Sequence, residues 1–355
     1  MLRIKPKQQN QTDLLALGEV MLRLDPGDTR IRFADSFRVW EGGGEYNVAK
    51  ALSSCFGLRT GIVTALADNP VGQLICGRMR QGGVDTSHVQ WFKDDGECRN
   101  GLNFTERGYG IRAAVGVSDR RNSAASKMKP GSVDWDAVLP SVRWLHTGGI
   151  FAAISENASQ LQIEAMQAAK RHGVTVSYDL NYRPSLWDRR GGRSAAQQVN
   201  RSALEYVDVL FGNETDYYDA LGVGEAPEGI CDAQSFLAQT EELRKIFPNI
   251  SLFCTSLRKV QSAGYNDWSG VIVHDGTLFT GKQMDGLEVY DRVGGGDGFA
   301  SGIIYGLLQE MPYEQCLSLG IAHGALLVTT PGDTSMATLA DVISATRGTS
   351  PRIIR

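Results

Sequence analysis

Between Asp291 and Gly302 the chain reads Asp-Arg-Val-Gly-Gly-Gly-Asp-Gly-Phe-Ala-Ser-Gly, an order of residue types suited to holding and transferring an anionic group. Gly294, Gly295 and Gly296 leave consecutive backbone N–H groups bare, and glycine allows φ > 0 and close approach of a ligand. The apolar run from Phe299 to Leu308 predicts a helix that starts at this turn. A helix start aims unpaired N–H groups and the positive dipole end at one point. That is an anion site, with phosphate first among the anions. Asp297 lies among those donors. A carboxylate there is a general base if a hydroxyl beside the phosphate must lose its proton, and it is equally a residue type that caps helices. The turn is not a Walker A loop, since no Gly-Lys-Ser/Thr follows, and it lacks the Gly-x-Gly-x-x-Gly dinucleotide fingerprint.

Three other stretches offer polar groups at chain reversals. Gly42-Gly43-Gly44-Glu45-Tyr46-Asn47 is a second glycine turn that enters a helix, and read alone it is either a ligand turn or a hinge. Asn213-Glu214-Thr215-Asp216 follows a strand and has the form of a helix cap with an acidic first turn. Asp179-Leu180-Asn181-Tyr182-Arg183 leaves the end of a buried strand. An arginine fork binds a carboxylate bidentately, so Arg183 is a candidate for a substrate carboxylate. Its alternative is an internal pairing with Asp179 or Asp188. His146 reads as a packed strand histidine.

These residues need a scaffold that brings chain reversals to one edge. Leu14 to Met21 predicts a buried first strand. Strands at Thr60–Ala67, Val142–His146, Val174–Leu180, Val207–Phe211 and Ile250–Thr255 are separated by helical patterns at 45–56, 70–81, 157–172, 195–206, 214–221 and 233–247. A hairpin at 271–280 and helices at 298–309, 313–329 and 339–346 close the chain. Alternation of this kind predicts an α/β fold: a doubly wound, mostly parallel sheet with helices on both faces. Ligands in such sheets sit beyond the carboxyl ends of the strands. Segments at about 23–41 and 98–118 do not fit the alternation and read as a small β lid inserted into a single domain spanning 12–355. Residues 1–11 read as a disordered N-terminal arm.

The glycine-rich stretch resembles the C-terminal signature of the ribokinase-like (PfkB) carbohydrate kinases, Asp-Thr-x-Gly-Ala-Gly-Asp, with Arg292 for the Thr and Gly295 for the Ala. The resemblance implies the same ribokinase-like fold, Asp297 as catalytic base, and Gly294, Gly295 and Gly296 as anion hole. It also implies that Gly42, Gly43 and Asn47 contact the sugar, and that Asn213 and Asp216 stand for Asn-x-x-Glu, which holds metal-bound water. The Asp179–Trp187 segment is similar to Asp-x-Asn-x-Arg-x-x-Leu-Trp of 2-keto-3-deoxygluconate kinases, which adds Asp179, Asn181 and Arg183 to the sugar site. Arg120 matches a substrate-contacting Arg of that group, whereas Asn103 and Ser118 replace two tyrosines. Arg23 stands where neutral-sugar kinases carry an Asp, so it could pair with a substrate carboxylate or face solvent. Ser256 and Arg258, in place of Thr-x-Gly, together with Asn213, Gly294, Gly296 and Gly324, fall on the nucleotide side. The implied cofactors are ATP and Mg2+, with room for a monovalent cation. The implied reaction phosphorylates a primary hydroxyl of a sugar acid, 2-keto-3-deoxygluconate first. The alternatives are a neutral-sugar kinase of the fructose or ribose type and a catalytically silent sugar-acid-binding protein.

Composition agrees with a small-molecule enzyme. The 355 residues carry a formal charge of −4 and a pI near 5.8, without a basic block, which argues against a nucleic-acid partner. Six scattered cysteines without a Cys-x-x-Cys pair fit a reduced, cytoplasmic chain. No apolar run approaches a membrane span, and the N-terminal stretch lacks the apolar core of a signal peptide. Exposed lid strands invite edge pairing, so a homo-oligomer, a dimer through the lids, is expected.

Overall fold

Leu14, Leu15, Ala16 and Leu17 are all buried, but they alternate in destination: Leu14 and Ala16 join one apolar cluster, Leu15 and Leu17 another. Successive strand side chains point to opposite faces, so a strand apolar at every position must be covered on both sides. The computed structural model, which describes residues 2–224 and 232–348, shows helices doing this along the whole sheet. The strands are β1 (Leu14–Leu17), β2 (Met21–Asp25), β3 (Arg38–Gly42), β4 (Thr60–Asp68), β5 (Val84–Asp85), β6 (Val89–Lys93), β7 (Leu102–Glu106) and β8 (Val115–Asp119). They continue as β9 (Trp144–Gly148), β10 (Thr175–Asp179), β11 (Val209–Phe211), β12 (Leu252–Ser262), β13 (Tyr265–His274), β14 (Thr277–Thr280) and β15 (Met284–Glu288).

The large sheet has the order β14-β13-β12-β11-β10-β9-β1-β4-β5, with β6 on β4 and β15 on β13. It is parallel from β12 to β5 and antiparallel at the β13 end. The expected doubly wound architecture is therefore present. Strand order reverses at β1, where β4 lies to one side and β9 to the other, and the crevice beyond that point is where such folds bind ligands.

A second sheet, β3-β2-β7-β8, stands apart and is built from the segments expected to form the lid. Its strands begin and end differently from the sequence reading. The apolar run 14–21 is not one strand, because the chain turns out of the large sheet at Gly18. Glycine is required at that turn because Glu45 packs against it: its Oε2 lies 2.4 Å from where a Cβ on Gly18 would stand. Met21 already belongs to the small sheet. Within 30–40 only the end is strand, after a short 3-10 turn at Ile31–Phe33.

Helix limits follow local chemistry. Pro70–Gln81 starts where expected because Pro70 occupies the first turn and the Asn69 side chain accepts from the amides of Val71 and Gly72. Residues 2–11 are not a frayed arm. The carbonyl of Lys5 accepts from Arg143 Nε (2.9 Å), that of Arg3 from the Thr175 hydroxyl (3.1 Å), and Leu2 and Ile4 pack on the core. The five described cysteines are free and buried, and Cys231 lies outside the described residues. No described helix is long and apolar enough to cross a membrane.

Candidate active site

The ends of β10 and β11, the middle of β12, part of β13, the small sheet and the start of the Gly295–Leu308 helix enclose one cleft of about 2010 Å3. Single-ligand pockets hold about 300–1,000 Å3, so this one has room for two substrates. Gly294 precedes the helix with φ 85° and gives the glycine turn its reversal. It could be no other residue, since a Cβ there would lie 2.3 Å from the Asp333 carbonyl oxygen. Gly296 is exposed to the cleft with nothing near its Cβ position. At Gly296 the backbone is thus open to close approach by a ligand.

Asp297, in the first turn of the helix, is only 9% exposed. Its Oδ2 accepts from Asn47 Nδ2 at 2.7 Å, which joins the two glycine turns at their polar ends, 250 residues apart in sequence. Burial holds its carboxyl well above the usual carboxylate range; the Asn47 hydrogen bond opposes this, and Asp179, Glu45 and Asp333 reinforce it. Glu45 and Asp179 are pushed up to about 7, in both cases first by burial. A buried carboxyl repelled by neighbouring carboxylates holds its proton more tightly than it would alone, the environment expected of a proton acceptor that works near neutral pH.

The expected sugar-side residues mostly converge. Asn47, Gly43, Asn103, Arg120, Asp179, Asn181 and Arg183 all line the cleft. Asn181 turns the chain at the tip of β10 with φ 37°, and its Nδ2 and Asp297 Oδ1 are both 3.7 Å from the Cβ position of Gly44. Arg183 is exposed, and its guanidinium donates only to the neighbouring Tyr182 carbonyl (2.9 Å). Neither Asp179 nor Asp188 is within ion-pairing distance of it. Arg120 faces the cleft from the small sheet, held by Glu19 (3.5 Å) and by contacts to Met21 Sδ (3.0 and 3.2 Å). Asn103 donates to the Thr105 hydroxyl.

Several expectations need correction. Gly42 does not face the cleft: a Cβ on it would lie 2.4 Å from Asp333 Oδ2, so its glycine serves packing. The cleft-facing pair is Gly43 and Gly44. Gly324 is also a packing residue, buried where a Cβ would meet Trp268 and the Gly295 carbonyl at 2.7 and 2.8 Å. It lets two helices approach and touches no cleft. Arg23 neither faces solvent nor reaches the cleft; it is fully buried between Asp291 and Asp333. Asn213 and Asp216 form a reciprocal capping box, and Asp216 Oδ1 also accepts from the Tyr182 amide (3.0 Å). Asp216 therefore braces the β10 and β11 loops against each other at the cleft. Ser256 and Arg258 line the cleft from β12 as expected. His146 is structural: its Nδ1 meets the Ser177 hydroxyl at 2.8 Å, and burial lowers its pKa to about 3.

Sequence reasoning missed Asn266 and Trp268, which line the cleft from β13. The available signal was period-two burial, with Asn266, Trp268 and Gly270 inward, in a stretch whose polar residues hid it. Asn266 is 3% exposed, and its Oδ1 has no partner.

Comparison with known proteins bears on the fold and the reaction class. Residues 11–339 match the family model described as pfkB family carbohydrate kinase. The 2-dehydro-3-deoxygalactonokinase of Haloferax volcanii is 29% identical over 338 residues, 95% of this chain and 97% of that one. The 5-dehydro-2-deoxygluconokinase of Geobacillus kaustophilus is 27% identical over 343 residues, 94% of this chain and 93% of that one. Among solved structures, the 2-dehydro-3-deoxygluconokinase of Thermotoga maritima superimposes with a TM-score of 0.88 at 34% identity, covering 95% of this chain and 100% of that one.

Proposed function

The chain belongs to the pfkB family of carbohydrate kinases, and within that family we propose that it phosphorylates a sugar acid at a primary hydroxyl, 2-keto-3-deoxygluconate first, to give the 6-phosphate. One observation carries the choice of an acid: Arg183 stands at the strand-tip edge of the cleft with its guanidinium hydrogen-bonded only to the Tyr182 carbonyl and to no carboxylate. A cation there, opposite Arg120, suits a substrate that brings its own carboxylate. The relatives above are each named for a sugar acid, though not for the same one.

The acceptor hydroxyl lies against Asp297, which takes its proton; Asn47 orients the accepting carboxylate. First-turn amides of Gly294 to Gly296 stabilise the charge on the transferring phosphoryl group, where most catalysis of such reactions arises. ATP is the donor, with its phosphates on the glycine turn and its nucleoside toward Ser256 and Arg258. The bare Gly296 position, with open space in front of it, fits a phosphate. Among the described residues no three His, Cys, Asp or Glu side chains converge as a metal cage. Mg2+ would therefore be carried by the nucleotide phosphates, with Asp216 on its water, as suits an ion that keeps several waters. When bound, it neutralises phosphate charge.

The test is an ADP-release assay across sugars and sugar acids. Turnover should be greatest with a 2-keto-3-deoxy sugar acid. Equal or faster turnover of fructose or ribose would overturn the assignment of an acidic substrate.

The small sheet should respond to both substrates. Its 107–112 turn already touches the β12–β13 hairpin, where the Ala263 amide donates to the Gly110 carbonyl at 3.0 Å. The Arg107 guanidinium lies 4.6 Å from the centre of the Tyr290 ring. With sugar acid and a non-hydrolysable ATP analogue, amide exchange should slow together in Leu102–Asp119 and in the Ser262–Tyr265 turn. Slowing confined to the large sheet would show that this sheet does not close over the reaction. β8 ends the small sheet with Val115 and Val117 exposed, which supports a dimer through the lids. The buried free thiols support a cytoplasmic location.

A further inference from the structure

We propose that Arg23 is a positioning residue for phosphoryl transfer: it ties the small sheet to the glycine turn and, together with Asp291, holds in place the two segments that flank the anion hole. The catalytic consequence rests on the kinase reading above; the tie itself does not.

Arg23 lies in the middle of β2 and is 0% exposed. Its fork ends between two buried carboxylates, with Nη1 2.6 Å from Asp333 Oδ1 and Nη2 2.7 Å from Asp291 Oδ2. Those carboxylates belong to the two segments that build the anion hole. Asp291 opens the glycine turn, and its two oxygens also accept from the amides of Val293 (3.4 Å) and Gly332 (3.3 Å). It therefore links both segments itself. Asp333 presses its carbonyl against Gly294 and its carboxylate against Gly42, closely enough to exclude a Cβ at either position. Arg23 also pairs in register with Asn103 of β7 and Trp40 of β3, so the contact reaches the cleft-lining strand.

Two carboxylates buried this close stay together only around a cation that satisfies both. Arginine does so with two arms of a rigid fork. Lysine would bring the charge as a single point and reach one carboxylate well. A shift of about 1 Å in catalytic groups costs roughly a hundredfold in rate, so the tie matters to catalysis without touching substrate.

Arg23→Lys tests this. With whichever sugar acid the wild type phosphorylates, kcat should fall about ten- to a hundredfold, while KM for both substrates stays within about threefold. In the ligand-free protein, the bonded amides that hold the turn, those of Val293, Gly298 and Gly332, should exchange faster than in wild type, and those of Thr175–Asp179 should not. Unchanged exchange at the glycine turn would refute the tie whatever the activity. A raised sugar-acid KM with unchanged kcat would make Arg23 a substrate contact and refute the positioning role. If Arg23→Lys does not fold, Asp333→Asn, which keeps an accepting oxygen, should show the same pattern more mildly, and its absence refutes the proposal. A wild type that phosphorylates no sugar acid would overturn the function proposed above, and the exchange comparison would still decide the tie.

Discussion

Asp297→Asn is expected to fold, to bind ATP and to lose about a hundred- to ten-thousandfold in turnover, the usual cost of removing a general base. Asparagine has nearly the same shape, and its carbonyl oxygen can still accept from Asn47, so the geometry that joins the two glycine turns survives. What it lacks is an acceptor for the hydroxyl proton. Two further results separate this loss from simple damage. The carboxyl holds its proton well above its ordinary 3.8 because it is buried among other carboxylates, so the acid limb of the wild-type kcat/KM profile should lie well above the usual carboxylate range. That limb belongs to the cluster of Asp297, Asp179 and Glu45 rather than to one group. The variant should lack the Asp297 contribution to it. The sign for stability is the reverse of a salt-bridged Asp: a folded pKa above the unfolded one adds no cost in acid and a growing cost as pH rises toward the folded value. At neutral pH the variant's Tm should therefore equal or exceed that of the wild type. Turnover within a few-fold of wild type would remove Asp297 from the base role.

The legible parts of the fold are those whose signals are local. The helices Pro70–Gln81, Glu214–Leu221 and Leu339–Thr346 carry their own caps, and their limits follow from sequence. Both glycine turns are visible because little else uses three glycines before a helix. What a run of glycines cannot show is which of them faces a ligand. Gly42 and Gly324 are glycines because Asp333 and Trp268 leave no room, and those neighbours are distant in sequence. Arg23 is the clearest case. In sequence it is a lone cation after a strand, open to pairing with substrate or with water. Its two partners lie 268 and 310 residues away, and only the packed structure shows that the charge is already used. The β12–β13 hairpin is hidden for a related reason: the outer half of β12 is exposed at consecutive positions, and the buried alternation lies in β13 alone, where it becomes visible only once the cleft gives those residues something to face.

Arg183→Ala should lower kcat/KM for the sugar acid about thirtyfold to several thousandfold. The range follows from the roughly 2–5 kcal/mol lost when one partner of a charge pair buried in a complex is truncated, at about 1.4 kcal/mol per tenfold. Arg183 is the stronger of two candidates because its guanidinium is uncommitted, whereas Arg120 already lies 3.5 Å from Glu19 and against Met21. Arg183→Lys restores the charge without the fork and should recover only part of the loss. The decisive control is an analogue in which a hydroxymethyl group replaces the carboxylate. Wild-type enzyme should handle it poorly, and Arg183→Ala should handle it about as well as wild type does, since neither then has a charge pair to make. Asp179 adds an internal check: Arg183 lowers its pKa while burial and Asp216 raise it. Removing the guanidinium should therefore move the cluster's titration upward even for the neutral analogue, an effect on pH dependence and not on the rate once Asp179 has settled into one protonation state. If the variant instead damages both substrates equally across pH, Arg183 is structural, and the carboxylate contact moves to Arg120 on the facing sheet.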